Sequence, residues 1–169
     1  MSKSESEKPE PSEPIPVGVA DYALSTDERP LRTSGVGSCG VVAIHDEISG
    51  VSGLLHFMLP EIEDRNNDHA DAKFADAGIA ELLSAFESAG GCSTRAWAKL
   101  AGGATMIGFD SFDRPIGDRN VEAAQIALEE RNIPLCGTDV GGDTGRKVVF
   151  EPATGELVIT TANGATRRR

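Results

Sequence analysis

From Val17 to Leu59 the apolar residues come in short, β-branched stretches that stop at turn formers, a pattern that suits a sheet. Val17 to Leu24 and Val36 to Ile44 read as strands, and Gly50 to Leu59 reads as a partner of the second, reached through the turn His45-Asp-Glu-Ile-Ser-Gly50. The period changes between Lys73 and Ser88, where Ala75, Ile79, Leu82, Leu83 and Phe86 recur at helical spacing before Gly90-Gly91. A second helical stripe, Val121, Ala124 and Leu128, predicts a helix over Asn120 to Arg131, with Pro134 beyond its end. Thr94 to Leu100, Ile133 to Cys136, Lys147 to Phe150 and Leu157 to Thr161 read as further strands. The fold class is therefore α+β: a strand-rich, mixed-sheet domain with two main helices.

Domain limits follow from composition. Residues 1–15 mix Ser, Glu, Lys and Pro without hydrophobic periodicity and are expected to be a disordered acidic tail. The folded domain is expected over 16–162, and 163–169 as a C-terminal tail whose Arg167-Arg168-Arg169 run reads as solvated. The polar start lacks the apolar core of a secretory signal, and no apolar run approaches the roughly 20 residues needed to cross a bilayer, so a cytoplasmic protein without membrane insertion is expected. A formal net charge of -11 disfavours nucleic acid as a partner. The same charge fits adaptation to high salt, and it also fits an ordinary acidic cytosolic protein. Cys39, Cys92 and Cys136 lie far apart and, with His45, His56 and His69, show none of the close pairs that structural zinc sites use, so neither a disulfide framework nor a metal is expected.

Gly35-Val-Gly-Ser-Cys-Gly40 admits two readings. As G-x-G-x-x-G it matches a dinucleotide fingerprint, which needs a strand before the glycines and a helix opening at them. Val41-Val-Ala-Ile44 is a strand sequence and Leu31-Arg-Thr-Ser34 is short, so the context is wrong and no cofactor is expected. The other reading places Cys39 in a turn whose glycines admit a substrate carbonyl and whose N–H groups could face an oxyanion. Gly37, Ser38 and Gly40 are the candidates for that oxyanion and substrate loop. A catalytic thiol needs a base, and strand pairing of 36–44 with 50–59 would bring His56 alongside Cys39. On spacing alone, a buried apolar cysteine and a satisfied core histidine explain the same residues.

Several segments carry a resemblance. Val17-Gly-Val-Ala-Asp-Tyr22, LRTSGVGSCGVVAIHD (31–46), GLLHFMLP (53–60), KFADAGI (73–79), KLAGGATM (99–106), IGDRNV (116–121) and DVGGDTGR (139–146) resemble, in this order, the chemoreceptor glutamine deamidases of the CheD family. The resemblance implies a layered α+β fold and an amidohydrolase that converts glutamine side chains in the cytoplasmic region of methyl-accepting chemotaxis receptors to glutamate, with release of ammonia. It implies Cys39 as nucleophile, His56 as base and Thr33 as the third member of the triad. It also implies a possible partner, a CheC-type phosphatase, and with it an alternative role as a non-catalytic adaptor. Phe74 stands where the family has tyrosine, and Gly40 where valine or alanine is frequent. Asp139 to Arg146 reads either as a rim of the site or as a connection between strands, while Ala101 to Ala104 reads as close backbone packing.

Overall fold

The computed structural model describes residues 13–61, 71–106 and 114–169. Among these residues ten strands form two five-stranded sheets. The first has the order β1 (Ile15–Pro16), β3 (Leu31–Val36), β8 (Arg146–Glu151), β9 (Glu156–Thr161), β10 (Thr166–Arg168), and the second β2 (Asp21–Ser25), β5 (Val51–Phe57), β4 (Gly40–Asp46), β6 (Trp97–Gly102), β7 (Leu135–Val140). Two helices, α1 (Ala75–Ser88) and α2 (Ile116–Glu130), cover the outer face of the second sheet.

Why the middle layer is so apolar follows from this stacking. A sheet covered on both faces needs continuous apolar strands instead of alternating ones, and every residue of β4 and β5 is buried. Val42, Ile44, Leu55 and Phe57 face Ile79, Leu82 and Phe86 of α1. Val41, Ala43 and Leu54 point the other way, against Leu31, Val148, Phe150 and Ile159 of the first sheet. Three layers result, helices on sheet on sheet, in agreement with the layered α+β expectation.

The expected β4–β5 hairpin is present, with Val41 opposite His56 and Ile44 opposite Gly53. Other boundaries move. A strand does precede Gly37, because Leu31 and Thr33 alternate inward along β3 and a register shift between Thr33 and Val36 lets Val36 be buried as well. No helix follows Gly40, which is what removes the dinucleotide reading. Helix α2 starts at Ile116, one turn before the expected Asn120; Gly117 weakens the helical signal there, yet a Cβ at this position would lie 2.5 Å from the Ala104 carbonyl oxygen. Ile15–Pro16 pairs in parallel with Leu31-Arg32, while residues 1–12 lie outside the described ones.

The arginine run is not a solvated tail. Strand β10 pairs with β9, and Arg167 and Arg169 reach the buried carboxylate of Asp139 at 2.6 and 3.1 Å, where Arg146 also binds at 3.0 Å. Arg167 and Arg146 hold Asp139 well below the usual carboxylate range. Asp139 to Arg146 is thus the connection between β7 and β8, and its two charged ends pair with each other across the sheets. A like arrangement closes the β4–β5 hairpin, where the buried Asp46 takes two bonds from Arg95 and one from the Cys92 N–H.

Candidate active site

After Val36 the chain leaves the first sheet, and at Gly40 it enters the second, so Gly37, Ser38 and Cys39 form a corner between layers. Their carbonyls are all anchored. Gly37 O accepts from the Ala104 N–H at 2.9 Å, Cys39 O from the Gly103 N–H at 2.8 Å, and Ser38 O from Asn120 Nδ2 at 2.9 Å. Gly102 permits this approach: its φ is +110°, and a Cβ there would lie 2.3 Å from Cys39 O. The sequence reading of Ala101 to Ala104 as close backbone packing agrees with these contacts.

His56 pairs with Val41, so its side chain shares Val41's face and points between the sheets. Cys39 precedes Val41 by two residues and packs against the same inter-sheet cluster, which makes it a diagonal neighbour of His56 on that face. From the opposing sheet comes Thr33, buried, with Oγ1 at 2.7 Å from His56 Nδ1 and 2.7 Å from the Val17 carbonyl oxygen. Thr33 and His56 thus meet at the seam between the sheets, against whose apolar cluster Cys39 also packs.

This network assigns the imidazole tautomer. A carbonyl can only accept, so the single Thr33 hydroxyl proton goes to Val17 O, and Thr33 Oγ1 must accept from Nδ1–H of His56. Nε2 is then the bare nitrogen. It is buried and has no hydrogen-bond partner among the described residues, the Cys39 thiol included. Catalytic hydrogen bonds are often long before substrate binds, and such an unpaired lone pair is a proton acceptor in waiting. Burial holds the His56 imidazole below its ordinary value and pushes the Cys39 thiol up, the second effect being opposed by Cys39's own backbone N–H. Both groups therefore rest uncharged near neutral pH.

The remaining titratable candidates are differently placed. His45 is buried with Nδ1 at 2.7 Å from Ser52 Oγ and its ring against Trp97, a satisfied core histidine. His69 lies outside the described residues. Cys136 is exposed, and Cys92, 3.0 Å from Thr94 Oγ1, has its thiol drawn below the ordinary value by that hydroxyl and by Arg95. Among the described residues no three His, Cys, Asp or Glu side chains gather as metal ligands would. Beside Ser38 opens a cavity of about 240 Å³, lined also by Ala104, Met106, Ile116 and Gly117.

Comparison with known proteins places this arrangement. The family model described as CheD chemotactic sensory transduction matches residues 58–161. A relative from Haloarcula marismortui, named "Probable chemoreceptor glutamine deamidase CheD", is 42% identical over 162 residues, covering 95% of this chain and 93% of its own. The chain belongs to the CheD family. A CheD relative from Natronomonas pharaonis with the same printed name is 43% identical over 90% of this chain and 91% of its own. Another, from Halalkalibacterium halodurans and named "Chemoreceptor glutamine deamidase CheD", is 40% identical over 88% of this chain and 94% of its own. Among the described residues of this CheD-family chain no helix is long and apolar enough to cross a membrane.

Asn120, whose Nδ2 anchors the Ser38 carbonyl of the turn in this CheD-family chain, is not legible as such in the sequence. It lies in the Ile116 to Val121 motif, and an asparagine on a helical stripe carries no signal of its own. The hint available was that Asn120 lies one position before the apolar stripe begins at Val121, where a buried polar side chain needs a partner.

Proposed function

We propose that this protein deamidates glutamine side chains in the cytoplasmic region of chemotaxis receptors, with Cys39, His56 and Thr33 as its catalytic triad. The observation that carries the reading is the Thr33–His56 hydrogen bond, which leaves Nε2 bare on the face it shares with Cys39. In the reaction His56 Nε2 takes the thiol proton, Cys39 Sγ bonds to the carboxamide carbon, and the carbonyl electrons move onto oxygen, where N–H groups of the Gly37 to Gly40 turn receive them. Collapse of this intermediate expels the amine, which collects the proton from His56 and leaves as ammonia. Water, deprotonated by the same Nε2, then hydrolyses the thioester to glutamate and the free thiol.

Thr33 acts through His56, keeping Nδ1 protonated and the ring aimed, and its hydroxyl accepts from the imidazolium while the proton is held. An adaptor would have no use for a buried imidazole with one tautomer selected and its other nitrogen unpaired. The cavity beside Ser38 supports the reading by giving the substrate chain a place next to the turn. The test is mass spectrometry of a receptor cytoplasmic fragment incubated with the protein, which should gain about one dalton per converted site, the amide-to-acid change this chemistry produces. Cys39→Ala should abolish the gain and leave the melting transition close to wild type. Turnover persisting in Cys39→Ala would refute the assignment.

A further inference from the structure

Asn120 is fully buried in α2, and its Nδ2 lies 2.9 Å from Ser38 O and 2.9 Å from Met58 O. Both neighbours are carbonyls, which only accept, so the side chain must turn its NH2 toward them and spend one N–H on each. Its Oδ1 is left on the other side, buried and without a partner among the described residues. An apolar side chain would fill the same space without stranding an acceptor, so the asparagine is held there by what its nitrogen does.

One nitrogen joins the two halves of the site. Met58 stands two residues after His56, immediately past the end of β5, and Ser38 immediately precedes Cys39. The Ser38 carbonyl also shares its peptide plane with the Cys39 N–H, and in a trans peptide the two point in opposite directions. Drawing Ser38 O toward α2 therefore turns the Cys39 N–H away from the helix. Neither the Ser38 nor the Cys39 amide donates to a backbone carbonyl among the described residues, so both remain available. The adjacent carbonyls of the turn are held by backbone amides; among the described residues the only side chain that holds it is Asn120.

We infer that Asn120 is a positioning residue for the deamidation: its amide nitrogen fixes the Ser38–Cys39 peptide so that the Cys39 N–H faces the developing oxyanion, in register with the strand that carries His56. This rests on the deamidase reading, and the experiment separates the two. Ammonia release from a receptor fragment and alkylation of Cys39 by iodoacetamide, followed by peptide mapping, are measured side by side for wild type, Asn120→Ala and Asn120→Ser. Alkylation is a displacement at carbon that builds no oxyanion, whereas deamidation must build one. Asn120→Ala should lose about 10- to 100-fold in kcat with little change in KM, less than the roughly 100- to 1000-fold seen when an oxyanion donor is removed outright, because here the donor is only misaimed, while Cys39 alkylation stays within about threefold of wild type. Asn120→Ser, with one short donor, should fall between. Deamidation within about threefold of wild type in Asn120→Ala, or a parallel loss of alkylation and deamidation, would overturn the inference. Failure of both variants to fold would overturn it too, by making Asn120 a residue of the fold alone. A wild-type protein that releases no ammonia would instead refute the deamidase reading.

Discussion

Replacing Thr33 by valine keeps the shape of the side chain and removes only the hydroxyl, which makes it the sharpest probe of the proposed base. Two buried groups lose their partner at once, the Val17 carbonyl and the His56 Nδ1–H, both held at 2.7 Å. At about 1–3 kcal/mol for each of the two buried polar groups left unpaired, the loss of stability should be about 2–6 kcal/mol, and for a domain of this size Tm should fall by roughly 4–24 °C. The catalytic loss comes from the same bond. Nδ1–H donates to Thr33 while His56 carries the extra proton, and a hydrogen bond to a charged group is worth about 1.5–3 kcal/mol, so kcat should drop about 10- to 150-fold. KM should hardly move, because Thr33 lies behind the imidazole and touches no substrate. Ammonia release and thermal denaturation measure the two effects, and Thr33→Ser should restore most of both. Nitrogen-15 NMR of the wild-type imidazole reads the cause directly, with Nδ1 protonated and Nε2 bare. The reasoning is refuted if Thr33→Val retains kcat within about threefold of wild type, or if the wild-type spectrum shows the proton on Nε2.

His45 and His56 are both held below their ordinary value of 6.5 by burial, so on acidification the unfolded chain takes up protons first; stability should be level above pH 6.5 and decline as the pH falls through it, and urea midpoints that rise between pH 7.5 and 5.5 would contradict this. The acid limb of kcat/KM should likewise lie below pH 6.5, where His56 is finally protonated. Iodoacetamide near neutral pH should modify the partly exposed Cys92, whose thiol is drawn down, no more slowly than the half-buried Cys39, whose thiol is pushed up; exclusive labelling of Cys39 would mean that the pair rests as thiolate and imidazolium. With a net charge of -11, Tm should rise from low salt to molar potassium chloride as the Debye length shrinks from about 30 to about 3 Å, and a flat or falling Tm would remove the case for salt adaptation.

What could be read from the sequence was whatever depends on near neighbours in the chain. The β4–β5 pairing was legible because two apolar stretches flank one turn, and the Cys39 corner because glycines cluster around it. Strand β3 was harder: Leu31-Arg-Thr-Ser-Gly-Val36 buries only half its residues, and the register shift breaks its alternation. The start of α2 was hidden by Gly117, whose presence is explained by the Ala104 carbonyl on another element and not by anything in the helix itself. Arg167 and Arg169 looked solvated because the carboxylate that orders them, Asp139, lies about thirty residues away. Asn120 is the extreme case, since its task is set by two carbonyls from segments 62 and 82 residues distant.

Thr33 and His56 belong to different sheets, and this has a consequence for how the protein fails. The half made of β4, β5 and α1 rests on contacts local to it, whereas the bond that aligns the imidazole exists only while the two layers are docked. A partial opening that slid one layer from the other would free the His56 ring to rotate before any helix melted. Loss of turnover should therefore run ahead of loss of helical structure as denaturant is added, which makes the enzyme's own activity the most sensitive gauge of whether its layers are closed.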